Sequence, residues 1–167
     1  TSTYADSVVI TVNTLPTVVS NGASICTGES KTLTATGAST YSWSPNTNLS
    51  ATTGASVTAN PTNTIVYTVT GTDANGCKAS DTSKVTVNTL PTVVTNGGSI
   101  CTGESKTLTA SGASTYSWSP STNLSATTGA SVSANPTNTI VYTVTGTDAN
   151  GCKATDTAKV TVNVLPN

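Results

Sequence analysis

Residues 65–77, which read IVYTVTGTDANGC, decide the fold of this chain. Apolar side chains alternate with Thr from Val66 to Thr72, and a period of two is the pattern of a β-strand with one buried face. The residues Asp73-Ala74-Asn75-Gly76 follow as a turn, because Asn-Gly accepts the positive φ that primed hairpin turns require. The stretch therefore predicts a β-hairpin, with Cys77 directly after its turn.

The same alternation recurs on both sides of this hairpin. Residues 84–88 form its second strand, and residues 31–35 and 40–43 are shorter runs of the same kind. Residues 56–59 end at Asn60-Pro61, where the missing N–H of proline stops strand pairing. No stretch of helical length shows a period of 3.6 residues. Six or seven short strands separated by turns predict an all-β fold built as a small β-sandwich.

The hairpin occurs twice because nearly the whole chain is repetitive. Residues 14–88 and 89–163 align without a gap, and 68 of the 75 aligned positions are identical. The seven differences exchange one small residue for another, as in Ser83 and Ala158. Two units of this identity must share one fold, so the chain is predicted to contain two sandwiches in tandem.

Both ends of the chain resemble parts of the repeat. Residues 6–13, DSVVITVN, resemble residues 81–88, and Leu165-Pro166 repeats the Leu-Pro that opens each unit. We therefore interpret residues 1–13 as the last strand of a preceding repeat and residues 164–167 as the start of a following one. The alternative is that the first of these segments completes the sheet of a neighbouring molecule.

The composition removes several classes of function. Charged residues make up 8% of the 167 residues, against about 25% in typical soluble domains, and His, Met and Phe are absent. A net charge of −1 offers no basic patch for nucleic acid, and no apolar run approaches the ~20 residues of a membrane span. Without histidine the cysteines lack a catalytic base, and their spacing does not match a zinc site. We expect no enzymatic activity, no cofactor and no metal.

One tryptophan and one tyrosine mark the predicted core of each unit. A lone aromatic side chain on an alternating strand usually faces inward, so the indole is predicted to be buried and not to stack on sugars. The tyrosine is expected to bridge core and rim by a hydrogen bond from its hydroxyl to the backbone. The predicted core residues are Trp43 and Trp118, Tyr67 and Tyr142, and Leu33 and Leu108.

Four stretches of each unit resemble a known family. Residues 25–30, 41–45, 65–77 and 85–87 are similar to the PKD-like or Ig-like repeats of large secreted surface proteins of Bacteroidota. The resemblance covers both units. It implies tandem Ig-like sandwiches of six to seven strands, arranged head to tail, in an extracellular or cell-surface protein. Such repeats serve mostly as spacers and cohesive modules, and the fold alone commits to no activity.

The topology implied by this resemblance bears on the four cysteines, which an oxidising compartment would pair. Cys26 precedes the turn after the first strand, whereas Cys77 follows the turn before the last strand, at the other end of the sandwich. A strand of roughly 20–33 Å separates these ends, and a disulfide requires Cα atoms within about 7 Å. We therefore expect a staggered Cys26–Cys152 bond that leaves Cys77 and Cys101 for flanking repeats. The alternative, Cys26–Cys77 with Cys101–Cys152, stays open because four cysteines allow three pairings.

The resemblance also implies candidate O-glycosylation sites at Ser7 and Thr157. Each follows an Asp and precedes an aliphatic residue, whereas the equivalent Asp81-Thr82-Ser83 departs from this pattern at its third position. The alternative reading of these stretches is the ordinary start of a last strand.

The leading functional hypothesis is a structural repeat of an extracellular filament, stalk or adhesin that provides length and stiffness. Its expected partners are neighbouring repeats of the same chain, with assembly into fibres or homo-oligomers favoured by low self-repulsion. Each unit contains three Lys against one Glu and two Asp and is formally neutral. The alternative is a carbohydrate- or surface-binding module, although the predicted loops offer Gly, Ser, Thr and Asn without an aromatic platform.

Overall fold

The structure, a computed structural model, describes residues 8–164, and the chain divides into two compact units between Val87 and Asn88. Residues 8–164 contain strands and no helix, which confirms the predicted all-β class. The strands of the first unit are β1 (Val19–Ser20), β2 (Ala23–Cys26), β3 (Lys31–Thr36), β4 (Thr40–Ser44), β5 (Ser56–Ala59), β6 (Ile65–Thr72) and β7 (Lys78–Asn88). Those of the second are β8 (Val94–Thr95), β9 (Gly98–Cys101), β10 (Lys106–Ser111), β11 (Thr115–Ser119), β12 (Ser131–Ala134), β13 (Ile140–Thr147) and β14 (Lys153–Asn163).

Each unit has one three-stranded and one four-stranded sheet. The strand orders are β1-β3-β5 and β2-β7-β6-β4 in the first unit, and β8-β10-β12 and β9-β14-β13-β11 in the second. Strand β9 runs parallel to β14, whereas β13 runs antiparallel to it. Across the strands of the first unit, Leu33 lies opposite Val57 and Trp43 lies opposite Val69. The apolar residues of each alternating strand therefore lie beside apolar residues of the neighbouring strand.

The buried indole is the largest part of each core. Trp43 and Trp118 each retain 3% of their exposure, and the indole N–H of each donates to a carbonyl, of Gly54 and Gly129 respectively, at 2.9 Å. The leucines predicted for the core, Leu33 and Leu108, are completely buried. Because the polar N–H of the indole has a partner, its burial carries no unpaired-donor penalty.

A buried tyrosine ties each core to a loop. Tyr67 is completely buried, and its hydroxyl donates to the carbonyl of Thr47 at 2.8 Å. Tyr142 has the same burial and donates to Thr122 at 2.9 Å. Burial raises the pKa of both phenols above the ordinary value of 10.0, which keeps the hydroxyls protonated as donors. The expected hydrogen bond from this tyrosine to the backbone is therefore present in both units.

The first strand of each unit changes sheets. Strand β1 lies in the three-stranded sheet and β2 in the four-stranded one, with Asn21-Gly22 between them. A Cβ at Gly22 would lie 3.0 Å from the carbonyl oxygen of Lys84, and one at Gly97 would lie 2.5 Å from that of Lys159. Glycine is therefore required for this close approach of two backbones. The two strands hold two and four residues, which is too few for a recognisable period of two in the sequence.

The predicted hairpin is present, but its turn is not of the primed type. Gly76 has a φ of 84°, whereas Asn75, which a type I′ turn would also place at positive φ, does not. The Asp73 carboxylate accepts from the backbone N–H groups of Asn75 at 2.9 Å and Cys77 at 2.8 Å. The Asp73 side chain therefore stabilises the turn without a second residue at positive φ, and it holds Cys77 directly before β7.

Candidate functional site

The cysteines occupy two different positions in each unit. Cys26 and Cys101 are the last residues of β2 and β9, whereas Cys77 and Cys152 directly precede β7 and β14. In the second unit Cys101 lies in register with Asn163, at the far end of the 11-residue strand that Cys152 precedes. At about 3.3 Å per residue, roughly 30–36 Å separate the two positions within this unit. A disulfide between Cys101 and Cys152 does not fit this separation.

The four cysteines differ in oxidation state. Cys26 and Cys152 are each disulfide-bonded, whereas Cys77 and Cys101 are free thiols and half-buried. Cys152 is completely buried, although its sequence equivalent Cys77 is not. One cysteine of each kind is therefore bonded and one of each kind is free. The partner of each bonded sulfur stays a prediction.

The candidate glycosylation residue Thr157 is exposed on β14, and Ser7 lies outside the described residues. The Asp156 carboxylate beside Thr157 accepts from the backbone N–H of Thr157 and from that of Thr95, each at 2.8 Å. Asp156 therefore has a structural task, because it fastens β8 to β14. This contact accounts for the Asp of the pattern without a modification, and glycosylation stays a prediction.

The equivalent Asp81 predicts an acid-sensitive contact in the first unit. Its carboxylate accepts from the Ser20 N–H at 2.7 Å, the Thr82 N–H at 2.8 Å and the Ser20 hydroxyl at 3.1 Å. These hydrogen bonds lower the pKa of Asp81 below its ordinary value of 3.8. Because the folded pKa is the lower one, the contact stabilises the unit above the unfolded pKa and is lost as pH falls through the folded value.

We expect Asp81→Asn to be less stable than the parent chain at neutral pH, with a difference that shrinks as the pH falls below about 4. Chemical denaturation at a series of pH values measures this difference. Ser20→Ala is the matched control, because it removes the hydroxyl contact and keeps the backbone donor. A stability difference that stays constant down to pH 2 would contradict the assignment.

Each unit also has a shallow recess beside the edge strand of its four-stranded sheet. The recess of the first unit measures about 500 Å³ and that of the second about 520 Å³. Their lining consists of hydroxyl side chains, one tyrosine and small residues: Ser39, Thr40, Tyr41, Ser42, Thr53, Gly54, Ala55 and Thr72, with the equivalents Ser114, Thr115, Tyr116, Ser117, Thr128, Gly129, Ala130 and Thr147. The volume is sufficient for a small ligand.

The polar atoms of the aromatic residues beside this recess are already occupied. The Tyr41 hydroxyl donates to the carbonyl of Ala38 and accepts from its N–H, both at 2.8 Å, and Tyr41 is only 9% exposed. The indole of Trp43 is bonded to Gly54. Among the side chains that line the recess, Ser and Thr hydroxyls remain to meet a ligand, which fits a weak polar contact better than specific recognition. The recess has no signature in the sequence, because residues of separate segments form it.

Residues 8–164 include neither a metal-binding cluster nor a buried polar side-chain atom without a partner. These residues contain no group of three or more His, Cys, Asp or Glu side chains arranged to hold a metal ion. The described part of the chain contains no helix long and apolar enough to cross a bilayer. Within the same residues, every buried side-chain nitrogen and oxygen has a hydrogen-bond partner. The polar groups of the interior are therefore used by the fold itself.

Known proteins resemble this architecture at low sequence identity. A variant of a three-Ig segment of titin is 15% identical with a TM-score of 0.47, covering 91% of this chain and 67% of its own. The two Ig domains of DIP-gamma are 10% identical with a TM-score of 0.43, covering 90% and 98%. The insect immune protein hemolin is 15% identical with a TM-score of 0.43, and this chain spans about half of it, 47%. No curated protein matches the sequence.

The two sandwiches, each with one three-stranded and one four-stranded sheet, define a tandem Ig-like protein. The family of CHU_C-associated Ig-like domains matches twice, at residues 14–91 and 89–166. The chain belongs to this family. The predicted Ig-like fold is therefore confirmed for both units.

Proposed function

We propose that this chain is a structural repeat of an extracellular filament, stalk or adhesin, whose units provide length and resist force. The observation that carries the proposal is that two near-identical units each have one bonded cysteine, and that the bonded cysteines occupy different positions in the two units. Repeats that serve as spacers need connections between units more than they need a ligand pocket. A bond that links successive units would provide such a connection.

The bond proposed here joins Cys26 to Cys152. The chain has four cysteines, of which Cys77 and Cys101 are free thiols, and this supports a bond between the two oxidised cysteines. This bond would cross the linker Asn88-Thr89-Leu90-Pro91, where Pro91 fixes its own φ and biases Leu90 toward extended geometry. Two connections between units, one peptide and one disulfide, would resist bending more than a linker alone. An oxidising, extracellular location follows from the same proposal.

The proposal extends to both ends of the chain, with residues 1–13 as the last strand of a further unit and residues 164–167 as the start of another. Ile10 is 82% exposed, whereas Val85, its equivalent in the repeat, is completely buried. The described part of this segment thus has the apolar pattern of a last strand, but its apolar side chains are exposed. Its apolar residues favour pairing with another Ig-like unit.

The proposed partners are neighbouring repeats and further copies of the chain, without a catalytic role. The formally neutral units repel one another weakly, which permits lateral packing into fibres. Thr157 is exposed and would be accessible to an O-linked sugar.

The second candidate function is carbohydrate binding in the recess beside β4 and its equivalent beside β11. The hydroxyl-rich lining and the volume of about 500 Å³ favour it. The occupied polar atoms of Tyr41 and Trp43 oppose it, because few groups remain to select one sugar.

Electron microscopy of the oxidised chain, together with pull-down on insoluble polysaccharides, distinguishes the two functions. We expect rods of uniform length that become variably bent after reduction, and no saturable binding. Thr53→Arg with Thr128→Arg fills both recesses from exposed positions and serves as the control. Saturable binding that this double variant abolishes would favour carbohydrate recognition over the structural role. Rods that bend to the same extent before and after reduction would contradict the Cys26–Cys152 linkage.

A further inference from the structure

The two free thiols of this chain are complementary to each other. Cys77 occupies the position at which Cys152 is disulfide-bonded, and Cys101 occupies the position at which Cys26 is disulfide-bonded. The chain therefore carries one free cysteine of each kind that takes part in a bond elsewhere in the same chain.

The turn that carries Cys77 already has the backbone arrangement of its bonded equivalent. The N–H of Cys77 donates to the Asp73 carboxylate at 2.8 Å, and the N–H of Cys152 donates to Asp148 at the same distance. The backbone N–H of Asp73 donates to the carbonyl of Cys77 at 3.0 Å, and the backbone N–H of Asp148 donates to that of Cys152 at 2.9 Å. Bond formation at Cys77 requires no rebuilding of this turn.

The turn that carries Cys101 matches its bonded equivalent in the same way. The N–H of Cys101 donates to the Glu104 carboxylate at 2.8 Å, and that of Cys26 donates to Glu29 at 2.9 Å. The backbone N–H of Glu104 donates to the Cys101 carbonyl at 3.0 Å, and that of Glu29 to Cys26 at 2.9 Å. Both free thiols are therefore held on the same scaffold as the bonded sulfurs.

The bonded Cys152 and its free equivalent Cys77 differ in solvent exposure. Cys152 is completely buried and Cys77 is half-buried, although the residues DANGCKA around them are identical. The difference therefore comes from outside this stretch. The disulfide partner proposed for Cys152 would account for it, and a second chain at Cys77 would supply the same cover.

We propose that Cys101 of one copy of this chain forms a disulfide with Cys77 of a second copy, which takes the place of the flanking repeat expected from the sequence. The inference rests on the Cys26–Cys152 bond of the proposed function. A small-molecule disulfide is the oxidant. Its S–S bond breaks, it takes up the two electrons and two protons of the thiols, and it leaves as two small thiols while the Cys101–Cys77 bond forms. Each product still presents one Cys77 and one Cys101, so the contact is heterologous and repeats into linear polymers.

The test uses the full chain and two single-thiol variants, Cys77→Ser and Cys101→Ser, in a buffer of reduced and oxidised glutathione. We expect the parent chain to form a ladder on a non-reducing gel, and each variant alone to form little dimer. An equal mixture of the two variants should give several-fold more dimer than either alone, linked by Cys77–Cys101 peptides. A mixture that dimerises no more than the average of the separate variants overturns the proposal, and so does the absence of any cross-link.

Mapping of the disulfide-linked peptides also distinguishes failure of this inference from failure of the proposed function. A Cys26–Cys152 peptide without Cys77–Cys101 peptides overturns the intermolecular bond alone. Peptides that join Cys26 to Cys77 overturn both, because the thiol at Cys77 would then be used within its own unit.

Discussion

Replacement of Trp43 by alanine is expected to lower the free energy of unfolding of the first unit by about 3–5 kcal/mol, the range for an aromatic residue truncated in a core. The side chain is 3% exposed and packs in one cluster with Leu33, Val57 and Val69. Alanine leaves a cavity there and removes the N–H that Gly54 accepts. Since small domains are stable by only about 5–15 kcal/mol, much of the stability of this unit depends on one residue.

The repeat supplies its own reference for this measurement. In Trp43→Ala the remaining indole is Trp118, so fluorescence follows the second unit while far-UV circular dichroism follows both. We expect the transition seen by fluorescence to stay within a few tenths of a kcal/mol of the parent and a new, earlier transition to appear by circular dichroism. Trp118→Ala should reverse the assignment. An unchanged unfolding curve for Trp43→Ala would show that the indole is not the centre of this core.

The sequence predicts those strands that are long enough to show an alternating pattern by themselves. The predicted alternation from Val66 to Thr72 lies within β6, and the run 31–35 lies within β3. Burial of Trp43 follows from the same alternation, because a single strand already defines its inner face.

Features that join distant segments could not be predicted in this way. The Asp81 contact with Ser20 spans 61 positions, and no local pattern links a carboxylate to a strand of two residues. The recess depends on how the segment around Thr53 lies against β4. Neither segment taken alone carries a pattern that predicts this contact. For the cysteines, no local pattern marks which thiol is oxidised. The expectation of a bonded Cys26 and Cys152 needed the topology that the family resemblance implies, because a disulfide depends on which strand ends meet in space.

Pulling the chain from its two ends is expected to release far less length when it is oxidised than when it is reduced. If Cys26 is bonded to Cys152, tension passes through the two sulfurs, and the 125 residues from 27 to 151 cannot extend. At 3.3–3.6 Å per residue, this hides roughly 410–450 Å of contour length. Single-molecule force spectroscopy with handles fused to the termini measures the released length directly.

Cys77→Ser and Cys152→Ser form a matched pair for this experiment, because the two cysteines are equivalent in the repeat and differ in oxidation state. Cys152→Ser should restore the hidden roughly 410–450 Å without any reductant, whereas Cys77→Ser should leave the oxidised length short. Unfolding of the restored chain should show two similar steps, since the units are nearly identical. If Cys77→Ser instead lengthens the chain, the bond lies within a unit, and the repeats are linked only by their peptide backbone.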